Sequence, residues 1–254
     1  MNTVTAQVSR NRRLRTAIKA NLPWAVAAVA FLLFLFSHRT LALLRWDLHS
    51  MNVRLKNFLF GKDKVIGGFL KTDGKKLLNL GSGPRGVDNP EWLNIDGYPD
   101  KNVQFLCDFN RDFPIPNQSL DGIFTEHVLE HFDYENGRKL LSTCFRILKS
   151  NGTIRIIVPD GKKILKAYFE EPAKIVKYKE STTKHPMEAV NSWFYQRYEH
   201  QCIYDFEYMK GLLEEIGFSK VYETSYMVSK SGNNDLLLDD PKYSWESLYV
   251  EAVK

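Results

Sequence analysis

A chain of 254 residues, 44% hydrophobic and 26% charged, holds enough apolar material for one large α/β domain or two small ones, and is neither disordered nor collagenous. Cys107, Cys144 and Cys202 are odd in number, widely spaced and without a CxxC pair, so they read as small buried hydrophobes in a reducing compartment rather than as a disulfide framework. The net charge of +5 is uneven: residues 1–64 hold 11 Lys and Arg against two Asp, the remainder holds 24 basic against 28 acidic residues, and the body therefore offers no general nucleic-acid surface.

Arg10, Arg12, Arg13, Arg15 and Lys19 precede an apolar run over residues 22–36. At 1.5 Å per residue this run spans roughly 22 Å, short of the about 30 Å of a bilayer core. Continuing it to Leu44 encloses His38 and Arg39, and no small-x-small cleavage site follows Phe36. Residues 22–44 are accordingly expected to anchor the chain at a membrane, with the following domain on the cytosolic side. Leu41, Leu44, Leu48, Met51 and Leu55 then recur at helical spacing among Arg45, Arg54 and Lys56, the pattern of an amphipathic linker helix lying on the body or on lipid. Residues 1–60 form the N-terminal region and 61–254 the globular domain.

From Lys75 onward apolar strands alternate with helices, which predicts a mainly parallel sheet covered on both faces. Strands are expected over residues 76–80, 92–96, 103–107, 120–126 and 153–159. Helices are expected over residues 134–148, closed by Ser150-Asn151-Gly152, and over 205–216, with Asp205 capping the first turn and Gly217 ending the last. Two late strands, near 220–227 and 247–253, complete the sheet as an antiparallel pair.

Leu78-Asn79-Leu80-Gly81-Ser82-Gly83-Pro84-Arg85-Gly86 is a strand entering a glycine turn, with Gly81, Gly83 and Gly86 at GxGxxG spacing. Glycines there let the backbone approach a ligand, and Asp96, closing the next strand, can accept hydrogen bonds from ribose hydroxyls. A dinucleotide also needs a helix after the glycines to hold its pyrophosphate. Only residues 87–91, containing Pro90, separate Gly86 from the next strand, which is too few. A nucleoside without phosphates needs no such helix, which points to S-adenosylmethionine (SAM) rather than NAD.

These residues resemble the class I SAM-dependent methyltransferases, particularly the small bacterial type found among cell-surface polysaccharide genes, over residues 75–254. Leu78 to Gly83 is similar to the family's SAM loop, Asp96 to its ribose carboxylate, and Cys107-Asp108-Phe109 to its adenine contact. Residues 121–132 resemble strand four and the turn after it, and 145–153 the helix leading into strand five. The resemblance implies a Rossmann-like sheet, mainly parallel with its last strand antiparallel, and SAM as methyl donor. The implied cofactor residues are Asn79, Gly81, Ser82, Gly83, Asp96, Asp108, Phe109 and Glu126. Two departures stand out: Asn79 occupies a position where many members have a carboxylate, and the helix after the glycine loop is reduced to a turn.

The run His127-Val-Leu-Glu130-His131 admits several readings. On a helix, HxxEH sets both imidazoles on one face, as in a zinc metalloprotease. It also resembles the ExxEH of ubiquinone-pathway O-methyltransferases, where the side chains hold a divalent metal, which would make His127, Glu130 and His131 ligands. Otherwise Glu130 and His131 brace the turn. Residues 160–204 are an insertion rich in lysine, with Trp193, Phe194, Tyr195 and Tyr198 near its end, a composition suited to covering an acceptor. The implied reaction is methyl transfer to a small, glycan-linked or lipid-linked acceptor. If the nucleophile is a hydroxyl, a neutral imidazole is the natural base, and His127 and His200 compete for that role. The non-enzymatic alternative is a SAM-fold membrane scaffold that has lost its chemistry.

Overall fold

The computed structural model describes residues 31, 34–60, 63–111, 113–179 and 184–254. Much of the expected membrane segment, residues 22–44, lies outside them, and among the described residues no helix is long and apolar enough to cross a membrane. The chain divides into two compact units, Met1–Met51 and Asn52–Lys254. Helix α1 (His38–Phe60) begins at Ser37, whose Oγ accepts the Thr40 N–H at 3.1 Å. The leucine stripe expected to bury one side of this helix is largely exposed at Leu44, Leu48, Met51 and Leu55. Within the second unit the helix instead engages through a different side: Val53 is buried, Arg54 meets Asp108, and Asn57 Nδ2 donates to the Leu106 carbonyl at 2.9 Å.

Helix α2 (Asp63–Leu70) inserts Ile66 and Phe69 into the core. Strands β1 (Leu77–Leu80), β2 (Trp92–Asp96), β3 (Phe105–Leu106), β4 (Leu120–Glu126), β5 (Leu148–Pro159), β6 (Lys220–Glu223) and β7 (Ser247–Val253) form one sheet in the order β3-β2-β1-β4-β5-β7-β6. All neighbours pair parallel except at β7, which runs antiparallel to both β5 and β6. This is the Rossmann-like arrangement with one antiparallel strand slotted in near the edge. The order reverses between β1 and β4, so a crevice opens beyond their carboxyl ends.

Helix α3 (Tyr134–Ile147) is capped by Asp133, whose side chain accepts the Asn136 N–H. It stops before the expected Ser150-Asn151-Gly152 terminator. Gln118 and Ser119 N–H groups take the Arg146 and Ile147 carbonyls at 3.1 and 2.8 Å, and Leu148 can enter β5 at once, paired with Leu120. Helices α4 (Gly161–Glu170), α5 (Pro172–Lys179) and α6 (Pro186–Tyr195) build the 160–204 insertion around a separate core of Ile164, Ile175, Val190 and Trp193. Helix α7 (Phe206–Ile216) starts on an Asp205 cap and ends at Gly217 with φ +119°, as its sequence foretells.

The two faces of the sheet differ. One buries Leu78, Leu80, Leu93, Ile95, Ile154 and Ile156 beneath α2, α3 and α7. The other was expected to be helix-covered as well, but the β1–β2 connection is too short for a helix. Its apolar residues, Leu77, Trp92, Phe124, Ile157 and Tyr249, are covered by Leu236, Leu238 and Val87 from turns. That thinner face also carries the buried polar side chains Asn79, Asn94, Arg155 and Glu251.

Candidate functional site

At the end of β1, Gly81 adopts φ +75°, and a Cβ there would lie 2.1 Å from Val128 Cγ2, so only glycine fits against the turn that follows β4. The Gly81 and Ser82 N–H groups both donate to the Ile95 carbonyl, at 2.9 and 3.1 Å. The Asp96 carboxylate accepts the Gly83 N–H and the Tyr98 N–H, each at 2.8 Å, and so ties the glycine turn to the end of β2. The chain then makes a single 3-10 turn, Gly83–Arg85. Amides on the thin face hold this abbreviated loop: Asn94 accepts the Val87 N–H and donates to the Val87 carbonyl, both at 2.8 Å. Asn79 Nδ2 donates to the Arg85 carbonyl at 3.2 Å and to Asn94 Oδ1 at 3.3 Å. A carboxylate at position 79 would face two acceptors, which is the physical reason for an amide there.

Beyond the carboxyl ends of β1 and β4 lies a cleft of about 470 Å³. Its walls are the glycine turn from Gly81 to Arg85, the end of β4 with Glu126 and His127, and a loop before β7 that contributes Leu238, Asp240, Lys242 and Tyr243. Arg85 spans the walls, pairing with Glu126, donating to the Leu238 carbonyl and lying 3.4 Å from Asp240. Glu126 also accepts the Asp240 N–H at 2.9 Å. Burial pushes the Glu126 carboxyl above its usual range, against the pull of Asp240 N–H and Arg85. Ser82 Oγ is buried without a partner, among the described residues, on the cleft lining.

His127 follows β4 with φ +52°, which breaks any helix through it. Its Nδ1 donates to Glu130 Oε1 at 3.0 Å, its Nε2 lies 3.1 Å from Ser247 Oγ, and its ring packs on Tyr243 with centroids 4.2 Å apart. Burial lowers the imidazole pKa, but the Glu130 bond and the charges of Glu130, Glu246 and Glu126 outweigh it and leave the pKa raised. For Glu130, burial raises the carboxyl pKa, yet the His127 bond and the fields of His127, His131 and His200 hold it below its usual value. The order Ser247, His127, Glu130 mimics a hydrolase triad, but Ser247 is fully buried, so its hydroxyl holds the ring rather than meeting a substrate.

Of the residues singled out in the sequence, Asn79, Gly81, Ser82, Gly83, Glu126 and His127 line this cleft, and Asp96 anchors its turn. Asp108 and Phe109 do not line it. Asp108 is engaged by Arg54 at 2.7 Å and by the Asn110 N–H at 3.1 Å, and Phe109 packs edge-on to Phe113 in the main core. His200 also lies off the cleft; it is buried beside His131, with ring centroids 5.0 Å apart. The HxxEH run is not an α-helix: it begins just after β4 and ends in a 3-10 turn, Leu129–His131, so the helical face that a zinc metalloprotease requires does not exist. The three side chains that converge are Glu130, His131 and His200 rather than His127, Glu130 and His131. Trp193 is wholly buried and donates Nε1–H to Glu246, so it belongs to the insertion's core and offers no surface for an acceptor.

Local patterning in the sequence does not announce the loop before β7. Its signal was Arg155, a lone charge in the apolar strand Ile154-Arg155-Ile156-Ile157-Val158, which demands buried partners. All five guanidinium N–H groups are used: two on Asp239 at 2.8 and 2.5 Å, one on Glu251 at 3.0 Å, and one each on the Val228 and Ser225 carbonyls at 3.0 and 3.1 Å. This fork fastens Asp239, and with it the Leu238–Asp240 wall of the cleft, to the sheet.

Residues 88–156, from the turn before β2 into β5, match the family model described as a methyltransferase domain. No curated protein matches the sequence. Among solved structures, a SAM-dependent methyltransferase from Archaeoglobus fulgidus is similar at 18% identity, over 79% of this chain and 98% of that one, with a TM-score of 0.43. A SAM-dependent methyltransferase from Thermotoga maritima, described as a possible histamine N-methyltransferase, shares 13% identity over 80% of this chain and 97% of that one, TM-score 0.44. Phosphoethanolamine N-methyltransferase 2 of Haemonchus contortus, solved with SAM, shares 14% identity over 81% of this chain and 57% of that one, TM-score 0.43. The family match is consistent with a class I SAM-dependent methyltransferase.

Proposed function

We propose that this chain is a SAM-dependent methyltransferase acting on a hydroxyl of a small, glycan-linked or lipid-linked acceptor. The observation that carries the proposal is the cleft of about 470 Å³ at the strand-order reversal, floored by the glycine turn that Asp96 holds. Its residues fit SAM. Gly81 lets the turn close against Val128, the buried Ser82 Oγ is a polar atom in want of a partner, and a Cβ at Gly83 would meet nothing within 4 Å, so space is left beside the backbone. No helix N-terminus is present after the glycines to hold a pyrophosphate. When bound, SAM supplies an electrophilic methyl group. The chain positions the acceptor and takes its proton: His127, on the cleft lining, is the imidazole that accepts it, while Glu130 keeps the ring in place through Nδ1. Tyr243, packed on the His127 ring, and the Leu238–Asp240 wall exclude water.

Calorimetry on the full chain tests the cofactor: SAM should bind one to one, and NADH binding more tightly than SAM would overturn the assignment. One rival is a SAM-fold binding subunit without turnover. Saturable SAM binding with no methyl transfer to any glycan or lipid fraction of the cell surface would establish that rival. Membrane attachment of the N-terminal region, with the domain facing the cytosol, belongs to the same proposal. It is supported by the basic, apolar run and by the exposed Leu48, Met51, Leu55 and Phe58, and retention in the membrane pellet after a high-salt wash checks it.

A further inference from the structure

The turn after β4 and the end of the insertion meet in a second cluster that lines no part of the cleft. Glu130 is wholly buried, His131 is half-buried and His200 is buried; each places one ligand atom within 4.8 Å of the others. Three features distinguish this cluster from chance proximity. Glu130 uses Oε1 for His127, but its Oε2 is buried with no hydrogen-bond partner, a costly state for a carboxylate oxygen. Each histidine donates Nδ1–H to a main-chain carbonyl: His131 to Glu199 at 3.1 Å and His200 to Trp193 at 2.5 Å. That bond selects the tautomer with its lone pair on Nε2 and sets the ring's direction, which is how metal-bound imidazoles are held. The backbone frame is already closed, because the Gln201 and Cys202 N–H groups donate to the Glu130 carbonyl at 2.8 and 3.2 Å and Gln201 Nε2 donates to the His131 carbonyl at 2.9 Å.

We propose that Glu130, His131 and His200 form a binding site for a divalent transition metal of the zinc class, which staples the end of the 160–204 insertion to the turn after β4. Two imidazoles and one carboxylate are a donor set for borderline-soft ions, whereas magnesium and calcium favour oxygen ligands. Tetrahedral zinc holds its ligand atoms about 3.4 Å apart, so each side chain closes on the ion by roughly 1 Å. The half-buried His131 has room for this movement. His127 is not among the converging ligands; its Nδ1 contacts the Glu130 Oε1 oxygen and leaves Oε2 to the cluster. The site does not depend on the methyl-transfer reading, and binding is measured without SAM.

The test uses the full chain, stripped with a chelator and titrated with Zn²⁺ by calorimetry and with Co²⁺ by visible absorption. One equivalent of either should bind per chain, raise the thermal midpoint and resist about a hundredfold excess of Mg²⁺. His200→Gln and Glu130→Gln should each weaken Zn²⁺ at least about tenfold. His127→Gln, whose amide can still donate to Glu130 Oε1, should stay within about threefold of the parent. If Glu130→Gln fails to fold, His131→Asn, at the half-buried rim, gives the same reading. The proposal is overturned if neither Zn²⁺ nor Co²⁺ binds stoichiometrically, if Mg²⁺ displaces them, if both His200→Gln and His131→Asn bind like the parent, or if His127→Gln abolishes binding.

Discussion

Replacing Asn79 by Asp would install the carboxylate common in the resembled family, and the structure predicts that it damages this chain. Asn79 is 3% exposed and donates Nδ2–H to the Arg85 carbonyl and to Asn94 Oδ1. An ionised carboxylate forfeits both bonds, at about 1 kcal/mol each, and turns a nearly buried charge toward two acceptors at the edge of the cleft, for a total of about 3–4 kcal/mol at pH 8. With an m-value of about 3 kcal/mol/M, the urea midpoint should fall by about 1 M. Burial raises the folded-state pKa of the introduced acid above the about 3.9 of an unfolded chain. The ionisation penalty is therefore absent below that pH and grows as pH rises through the folded-state value, so unfolding at pH 5 and pH 8 should show a larger deficit at pH 8. Asn79→Ala loses the two bonds without adding a charge, and its deficit, about 1–2 kcal/mol, should not vary with pH. If Asn79→Asp lies within about 0.5 kcal/mol of the parent at pH 8, the amide network is not what holds the short loop.

Gly81→Ala combines a left-handed φ of +75° with a Cβ only 2.1 Å from Val128 Cγ2, and should cost about 2–4 kcal/mol in thermal or urea unfolding. Adding Val128→Ala should recover part of that loss, and strict additivity of the two changes would refute the clash. Arg155→Met leaves Asp239 and Glu251 buried without their counter-charge and should cost about 3–5 kcal/mol, read by urea unfolding. It should also weaken SAM binding by loosening the Leu238–Asp240 wall, and a variant with parental stability and affinity would show that the fork does not fasten that loop.

Much of the fold was legible because its signals are local. The alternation through Leu78 and Leu80, the helical spacing of Leu140, Leu141 and Cys144, the Asp205 cap and the Gly217 stop each act within a few residues of themselves. They determine the strands, two of the helices and the apolar face of the sheet. The glycine turn is local too, and residues 87–91 by their number alone exclude a phosphate-binding helix. The thin face was decided only in three dimensions, since Arg155 finds Asp239 and Glu251 at separations of 84 and 96 residues, and no local period encodes such a meeting. Spacing likewise set His127 and His131 on one helical face, but the φ of +52° at His127 breaks the helix and turns His127 toward Ser247. Glu130 and His131 then face His200, delivered by an insertion whose path depends on its own core around Trp193. Periodicity specifies which side of an element is buried; which distant group meets it there depends on how the elements pack, and that is where the cleft walls and the Glu130, His131 and His200 cluster arise.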